Sequence, residues 1–270
     1  MHQENIKEFL DYYSDKYNHR TFIEHDPISI PHRFSKKQDI EIIGFWVAML
    51  SWGNRKTIIN KGLDLCERMD HAPYDFILNH QEEDRRKFET FVQRTFNYTD
   101  SLYFLNFFQL WYKTHDSLED AFIGFEDHPF MNLEAGLESL NKHFFIGDEV
   151  PQRTRKHVSK PSSGSRCKRI LMFLRWMVRK DDRGVDFGVW KKLQPSQLML
   201  PLDVHVERTA RLLGLLKRNI LDWKAVVEIS DACRAMRPED PAFYDYGLFG
   251  ISLTMKQDDP DILKFLRNNS

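Results

Sequence analysis

Apolar positions recur at helical spacing along most of this chain. Ile6, Phe9, Leu10 and Tyr13 share one side of a helix over 6–17. The next run, H-D-P-I-S-I-P-H-R-F-S, holds two prolines and predicts extended backbone, because proline disfavours helix at the residue before it. Asp39 is then placed to cap I-E-I-I-G-F-W-V-A-M-L, which is apolar on nearly all faces and so predicts a buried helix. Gly53 breaks that helix and residues 54–57 start another. Between 72 and 145 lie further helical patterns: P-Y-D-F-I-L, E-E-D-R-R-K-F-E-T-F-V, the aromatic L-Y-F-L-N-F-F-Q-L-W-Y, and L-E-A-G-L-E-S-L-N-K-H-F-F. In the aromatic run Leu102, Leu105, Phe108 or Gln109, and Tyr112 have core spacing.

A long apolar helix begins near Lys168, and a strand-like run over 198–202 leads into another at Asp203. Residues 222–236 read as a helix, and Asp240-Pro241 opens a last one, Asp being a good N-cap and Pro tolerated at the first helical position. Strands are nearly absent, so the expected fold class is all-α. The expected organisation is an N-terminal helix and extended segment (1–38), a helical domain (39–256) and a C-terminal tail helix (257–270).

Composition changes this picture in three places. The 270 residues suffice for one large domain or two small ones. Net charge is −1, so the chain as a whole is not a basic nucleic-acid binder, yet residues 150–180 hold ten Lys/Arg and no Asp or Glu. A focused basic strip on an acidic body is what local phosphate binding needs, although charge runs are also commonly just solvated. The run that leads into it, G-D-E-V-P-Q-R-T-R-K-H-V-S-K-P-S-S-G-S, predicts a flexible segment that orders on binding an anion. Cys66, Cys167 and Cys233 form no C-x-x-C, which fits buried thiols in a reducing cytosol and excludes a four-cysteine iron–sulfur cluster. No signal-peptide run and no window of about 18 apolar residues appears, so the expectation is a cytoplasmic protein without a membrane partner. H-E-x-x-H, Walker and G-x-S-x-G motifs are absent, and no metal site is expected.

The candidate chemistry lies in P-S-S-G-S-R-C-K-R-I-L-M-F-L-R-W-M-V-R and L-P-L-D-V-H-V-E-R-T-A-R-L-L-G-L. They place Lys168 and Asp203 at helix N-termini, where backbone N–H groups are unpaired. The second run resembles the segment of helix-hairpin-helix DNA glycosylases in which D-x-H-V-x-R carries the catalytic aspartate, with a catalytic lysine on a helix shortly before it. The matching positions are Asp203 and Lys168. Their separation of 35 residues is nearer the archaeal 8-oxoguanine DNA glycosylase branch than the endonuclease III type. The whole chain also resembles a bacterial family of unknown function related to that superfamily through this segment. It departs from the superfamily's G-x-G hairpin, offering only Gly164 within S-S-G-S.

The resemblance implies a two-lobed, multi-helix glycosylase-like fold with a helix-hairpin-helix element and a catalytic region at 161–215. It implies cleavage of the N-glycosidic bond of a damaged base, such as an oxidised purine, in duplex DNA, with or without abasic-site lyase activity. Asp203 would be the carboxylate that stabilises oxocarbenium charge, and Lys168 the Schiff-base nucleophile. Ser163, Gly164, Ser165 and Arg166, with Arg169, would hold a phosphate, with a monovalent cation at the hairpin as the one added ion. Trp52, Asn54 and Arg55 sit where the superfamily inserts a loop into DNA, and His205, Trp176 and Trp52 would line the base pocket. Each has a plainer alternative: an N-cap for Asp203, a phosphate anchor or surface lysine for Lys168, a helix–turn–helix link at Asn54 and Arg55, a structural histidine at His205, core packing at Trp176. The alternative function is a nucleic-acid binding module that performs no excision; action on RNA or a free nucleoside is a third.

Overall fold

The computed structural model describes residues 3–123, 132–147, 150–255 and positions 262 and 265. Among them regular structure is helical, apart from one bridge between Gln93 and Phe96. The α-helices are α1 (Gln3–Tyr17), α2 (Lys37–Leu50), α3 (Arg55–Arg68), α4 (Pro73–Asn79), α5 (Glu82–Arg85), α6 (Tyr98–Tyr112), α7 (Leu133–Phe144), α8 (Lys168–Val178), α9 (Val204–Leu212), α10 (Trp223–Met236) and α11 (Tyr244–Thr254). Internal contacts divide the chain into two compact units, Ile23–Ser163 and the pair Met1–Phe22 with Gly164–Ser270. This differs from the expected 1–38 and 39–256 division, because the first helix packs against the last. The tail expected at 257–270 lies outside the described residues except Ile262, which is buried, and Phe265, whose ring stacks on Phe9 at 3.8 Å.

In the unit Ile23–Ser163 the core is aromatic. Trp46 and Phe45 of α2 meet Phe104 at 5.3 and 6.0 Å, and Phe144 meets Phe107 at 4.3 Å. Burying α2 on all sides forces Glu41 into this core, where it accepts hydrogen bonds from Tyr112 Oη (2.8 Å), Ser117 Oγ (2.6 Å) and Leu118 N (3.1 Å). Burial pushes its carboxyl up in spite of these donors.

Several local expectations need correction. Pro27 and Pro31 open 3-10 turns instead of extended backbone, since proline's fixed φ also suits a first helical position. Asp39 does not cap α2, which begins at Lys37; its carboxylate accepts from Tyr74 N at 2.7 Å. The charged run 82–92 forms only the short α5 and a 3-10 turn. The segment before Gly164 is built into this unit: Thr154 Oγ1 donates to buried Asp100 (2.7 Å), Arg153 pairs with the same carboxylate (3.2 Å), and Asn141 donates to Val158 O (2.9 Å).

In the other unit α11 is the central helix. Gly247 and Gly250 let α1 approach it: a Cβ on Gly250 would lie 2.0 Å from the Tyr17 ring. α9 packs on α11 through Thr209 Oγ1, which donates to Leu248 O at 2.7 Å. The run 198–202 is buried but unpaired as a strand; Leu200 N donates to Ser230 Oγ of α10 instead. Asp240 makes no cap bond. It pairs with Arg179 at 2.8 Å, and α11 starts only at Tyr244, after a 3-10 turn at Pro241–Phe243.

Candidate functional site

Two helix starts build the site. Gly164, at φ +76°, turns the chain, Ser165 Oγ accepts from Cys167 N (3.1 Å), and Cys167 adopts a left-handed φ of 47° that sets Lys168 as the first residue of α8. No side chain caps this helix. What precedes the turn is a 3-10 turn, Pro161–Ser163, so Gly164 does not join two α-helices. Lys168 is half-buried, and its amine makes no hydrogen bond or ion pair with any described residue. Arg166 Nη1 is buried and has no hydrogen-bond partner among the described residues, while burial lowers the Arg169 guanidinium to about 10.

Asp203 caps α9, its Oδ1 accepting from His205 N (2.9 Å) and Val206 N (3.0 Å). Its Oδ2 accepts from no described residue. One oxygen therefore serves the fold, and the other has no partner among the described residues. His205 is half-buried; its Nδ1 lies 3.1 Å from Ser252 Oγ and its ring meets Phe249 at 5.1 Å, which ties α9 to α11.

Sequence reasoning missed the residue that relates these groups. Asp245 of α11 is buried and paired with Arg175 Nη1 of α8. Burial raises its carboxyl to about 6; Arg175 acts against this, the charge of Asp203 adds to it, and the charge of Lys168 opposes it. Asp203 and Lys168 thus act on one carboxyl. Arg175 Nε also donates to Asp186 (3.2 Å), which accepts from Arg179 (3.2 Å) and from the Tyr246 hydroxyl (2.7 Å). The available signal was a charged residue inside an apolar helical run, as in L-R-W-M-V-R and F-Y-D-Y-G-L, because a buried charge requires a partner.

The basic strip is smaller than the charge run implied. Of its ten cations, Arg153, Lys160, Arg175 and Arg179 are in ion pairs with Asp100, Glu138, Asp186 and Asp240, among others. Trp176 is wholly buried, so it belongs to the core and lines no open pocket here.

Trp52, Asn54 and Arg55 belong to the other unit. Asn54 caps α3, accepting from Thr57 N at 3.3 Å, and Arg55 lies 4.0 Å from Asp26. Trp52 is 55% exposed. Ser163 is exposed at the end of the same unit. Among the described residues no group of three His, Cys, Asp or Glu is arranged to hold a metal ion, and no helix is long and apolar enough to cross a membrane.

Fold and site define a helical protein in which a lysine amine without a partner among the described residues and a helix-capping carboxylate both lend their charge to one buried acid. The chain belongs to the family described as Protein of unknown function (DUF2400), whose model matches residues 26–254. No curated protein and no solved structure matches it.

Proposed function

We propose that this protein removes a damaged base from DNA by cleaving the N-glycosidic bond, with a lyase step at the resulting sugar. The observation that supports the reading is that Lys168 offers an amine with no partner among the described residues, Asp203 offers an Oδ2 that accepts from none of them, and the charges of both are felt by Asp245. The resemblance of D-V-H-V-E-R to the glycosylase segment supplies the reaction class.

In this mechanism the unprotonated Lys168 Nζ attacks C1′. The N-glycosidic bond breaks and its electron pair leaves with the base, while Asp203 Oδ2 stabilises the positive charge on the sugar and takes the proton released by the amine. Ring opening gives a Schiff base, and loss of a C2′ proton then expels the 3′ phosphate. The base must first leave the stack, at a cost of about a few kcal/mol that backbone contacts offset. Arg166 and Arg169, flanking Lys168, are placed in sequence to make such contacts.

A panel of labelled duplexes carrying uracil, 8-oxoguanine, alkylated purines or an abasic site tests this, read with and without hot alkali and with borohydride trapping. Scission without alkali, a trapped adduct lost in Lys168→Ala, and loss of both in Asp203→Asn are expected. The Asp203 cap itself favours the second reading, a binding module without excision, because capping alone accounts for an aspartate at this position. Retardation of DNA with no scission on any duplex would select that reading.

A further inference from the structure

We infer that Trp52 and Arg94 form a stacking platform for an unstacked nucleobase on the unit Ile23–Ser163. Trp52 follows the end of α2, where Ser51 N and Trp52 N turn back onto Ala48 O and Leu50 O at 3.0 and 2.7 Å. Arg94 sits at the tip of a tight turn closed by reciprocal bonds between Gln93 and Phe96, both 2.9 Å. The turn is anchored by Phe96, which is buried against Phe104 at 5.1 Å, and by Arg153 Nη2, which donates to Thr95 O at 2.7 Å. Its geometry holds Arg94 at φ 55°, a left-handed conformation unfavourable for a side chain of this size. The guanidinium lies over the Trp52 ring, 4.8 Å from its centroid.

Gly53 makes this approach possible on two counts. Its φ of +118° suits only glycine, and a Cβ there would lie 2.6 Å from Arg94 Nε and Nη2. Arg94 is exposed and makes no ion pair with any described residue, and Lys56 is exposed on the first turn of α3. The other five tryptophans are at most 7% exposed, so this one indole is kept in water by the backbone around it. An exposed ring with an exposed guanidinium over it, and a second exposed cation four residues on at Lys56, fits a flat aromatic ligand that carries an anion, which is a nucleotide within a strand. Of the three residues that the sequence placed at this junction, Asn54 and Arg55 are already engaged by Thr57 N and Asp26, which leaves Trp52, and the structure adds Arg94.

The inference rests on the nucleic-acid part of the proposed function and not on excision. Its test is a titration of full-length protein at low salt with a mixed-sequence single-stranded oligonucleotide and with a duplex holding one unpaired base. Tryptophan emission and gel retardation are read together. Because Trp52 is the exposed indole, saturating oligonucleotide should quench the emission component that iodide reaches and protect it from iodide. Trp52→Ala should abolish that component and weaken binding about tenfold, as expected for loss of one stacked base. Arg94→Gln should weaken binding about threefold or more and flatten the salt dependence. Thermal melts close to wild type would show that both variants are folded. Binding with unchanged emission, equal affinity in Trp52→Ala, or no binding to either oligonucleotide overturns the platform. Quenching without excision on any lesion keeps the platform and removes only the excision reading.

Discussion

Arg175, in the last turn of α8, and Asp245 of α11, 70 residues apart, are ion-paired in the core. Two arginines there serve four carboxylates: Arg175 with Asp186 and Asp245, Arg179 with Asp181, Asp186 and Asp240. Burial leaves Asp240 and Asp245 raised although each has an arginine beside it, with the charge of Asp186 adding at Asp240 and that of Asp203 at Asp245. The ring of Tyr246 lies against both guanidinium groups, 4.4 Å from Arg175 and 5.4 Å from Arg179.

Arg175→Met should be strongly destabilising. It leaves Asp245 without its partner and Asp186 with one cation fewer, and breaking a buried ion pair by removing one member costs about 3–5 kcal/mol. Urea unfolding measures it. A loss below about 1 kcal/mol, the scale of an exposed pair, would mean that the pair is not desolvated in solution.

The pH dependence follows from Asp245. Its carboxyl is raised on folding to about 6, against about 3.9 in an unfolded chain. A group raised on folding contributes stability that is complete below the unfolded value and is lost as pH rises through the folded one. Wild type measured against Asp245→Asn should therefore be relatively more stable at about pH 4 than at about pH 7, with the change concentrated between about 4 and 6. A difference independent of pH across that window contradicts the assignment.

Asp203 caps α9 and, in the proposed function, also carries the chemistry, and two substitutions separate these roles. Asp203→Asn keeps an acceptor for His205 N and Val206 N and should cost a few tenths of a kcal/mol, whereas Asp203→Ala should cost about 1 kcal/mol. Both should abolish base excision. Thermal melts beside scission assays distinguish the outcomes, and an active Asp203→Asn would leave the residue as a cap alone.

Gly250→Ala probes the packing of α1 on α11. The added methyl meets the Tyr17 ring at 2.0 Å, on a helix and away from any exposed loop, so an overpacking penalty of about 1–3 kcal/mol is expected. Proteolysis should then release α1 first. An unchanged melting temperature would show that Tyr17 moves aside freely.

Much of the helical layout was legible in the chain. α1, α2, α6, α7 and α10 fall within a few residues of their patterns, and Asn54, Asp203 and Asp222 cap the helices they precede. The failures have local causes. The prolines at 27 and 31 suit 3-10 turns as well as extended backbone, and the basic run 150–163 looked solvated although Asp100 and Glu138 hold it from distant positions. At the candidate site Lys168 and Asp203 were legible as residues at helix starts. Asp245 was not, because a carboxylate inside an apolar helix shows that a partner exists without showing which one.

The sequence by itself determined where most of the longer helices lie, which faces they bury and that Lys168 and Asp203 stand at helix starts, because apolar period and capping depend on neighbours a few residues away. Tertiary structure alone decided that Arg175 pairs with Asp245, that the charges of Asp203 and Lys168 are felt by the same carboxyl, and that Arg94 lies over the exposed Trp52 ring. These depend on distance through space and on the water removed between charges, and neither is encoded in the spacing of residues along the chain.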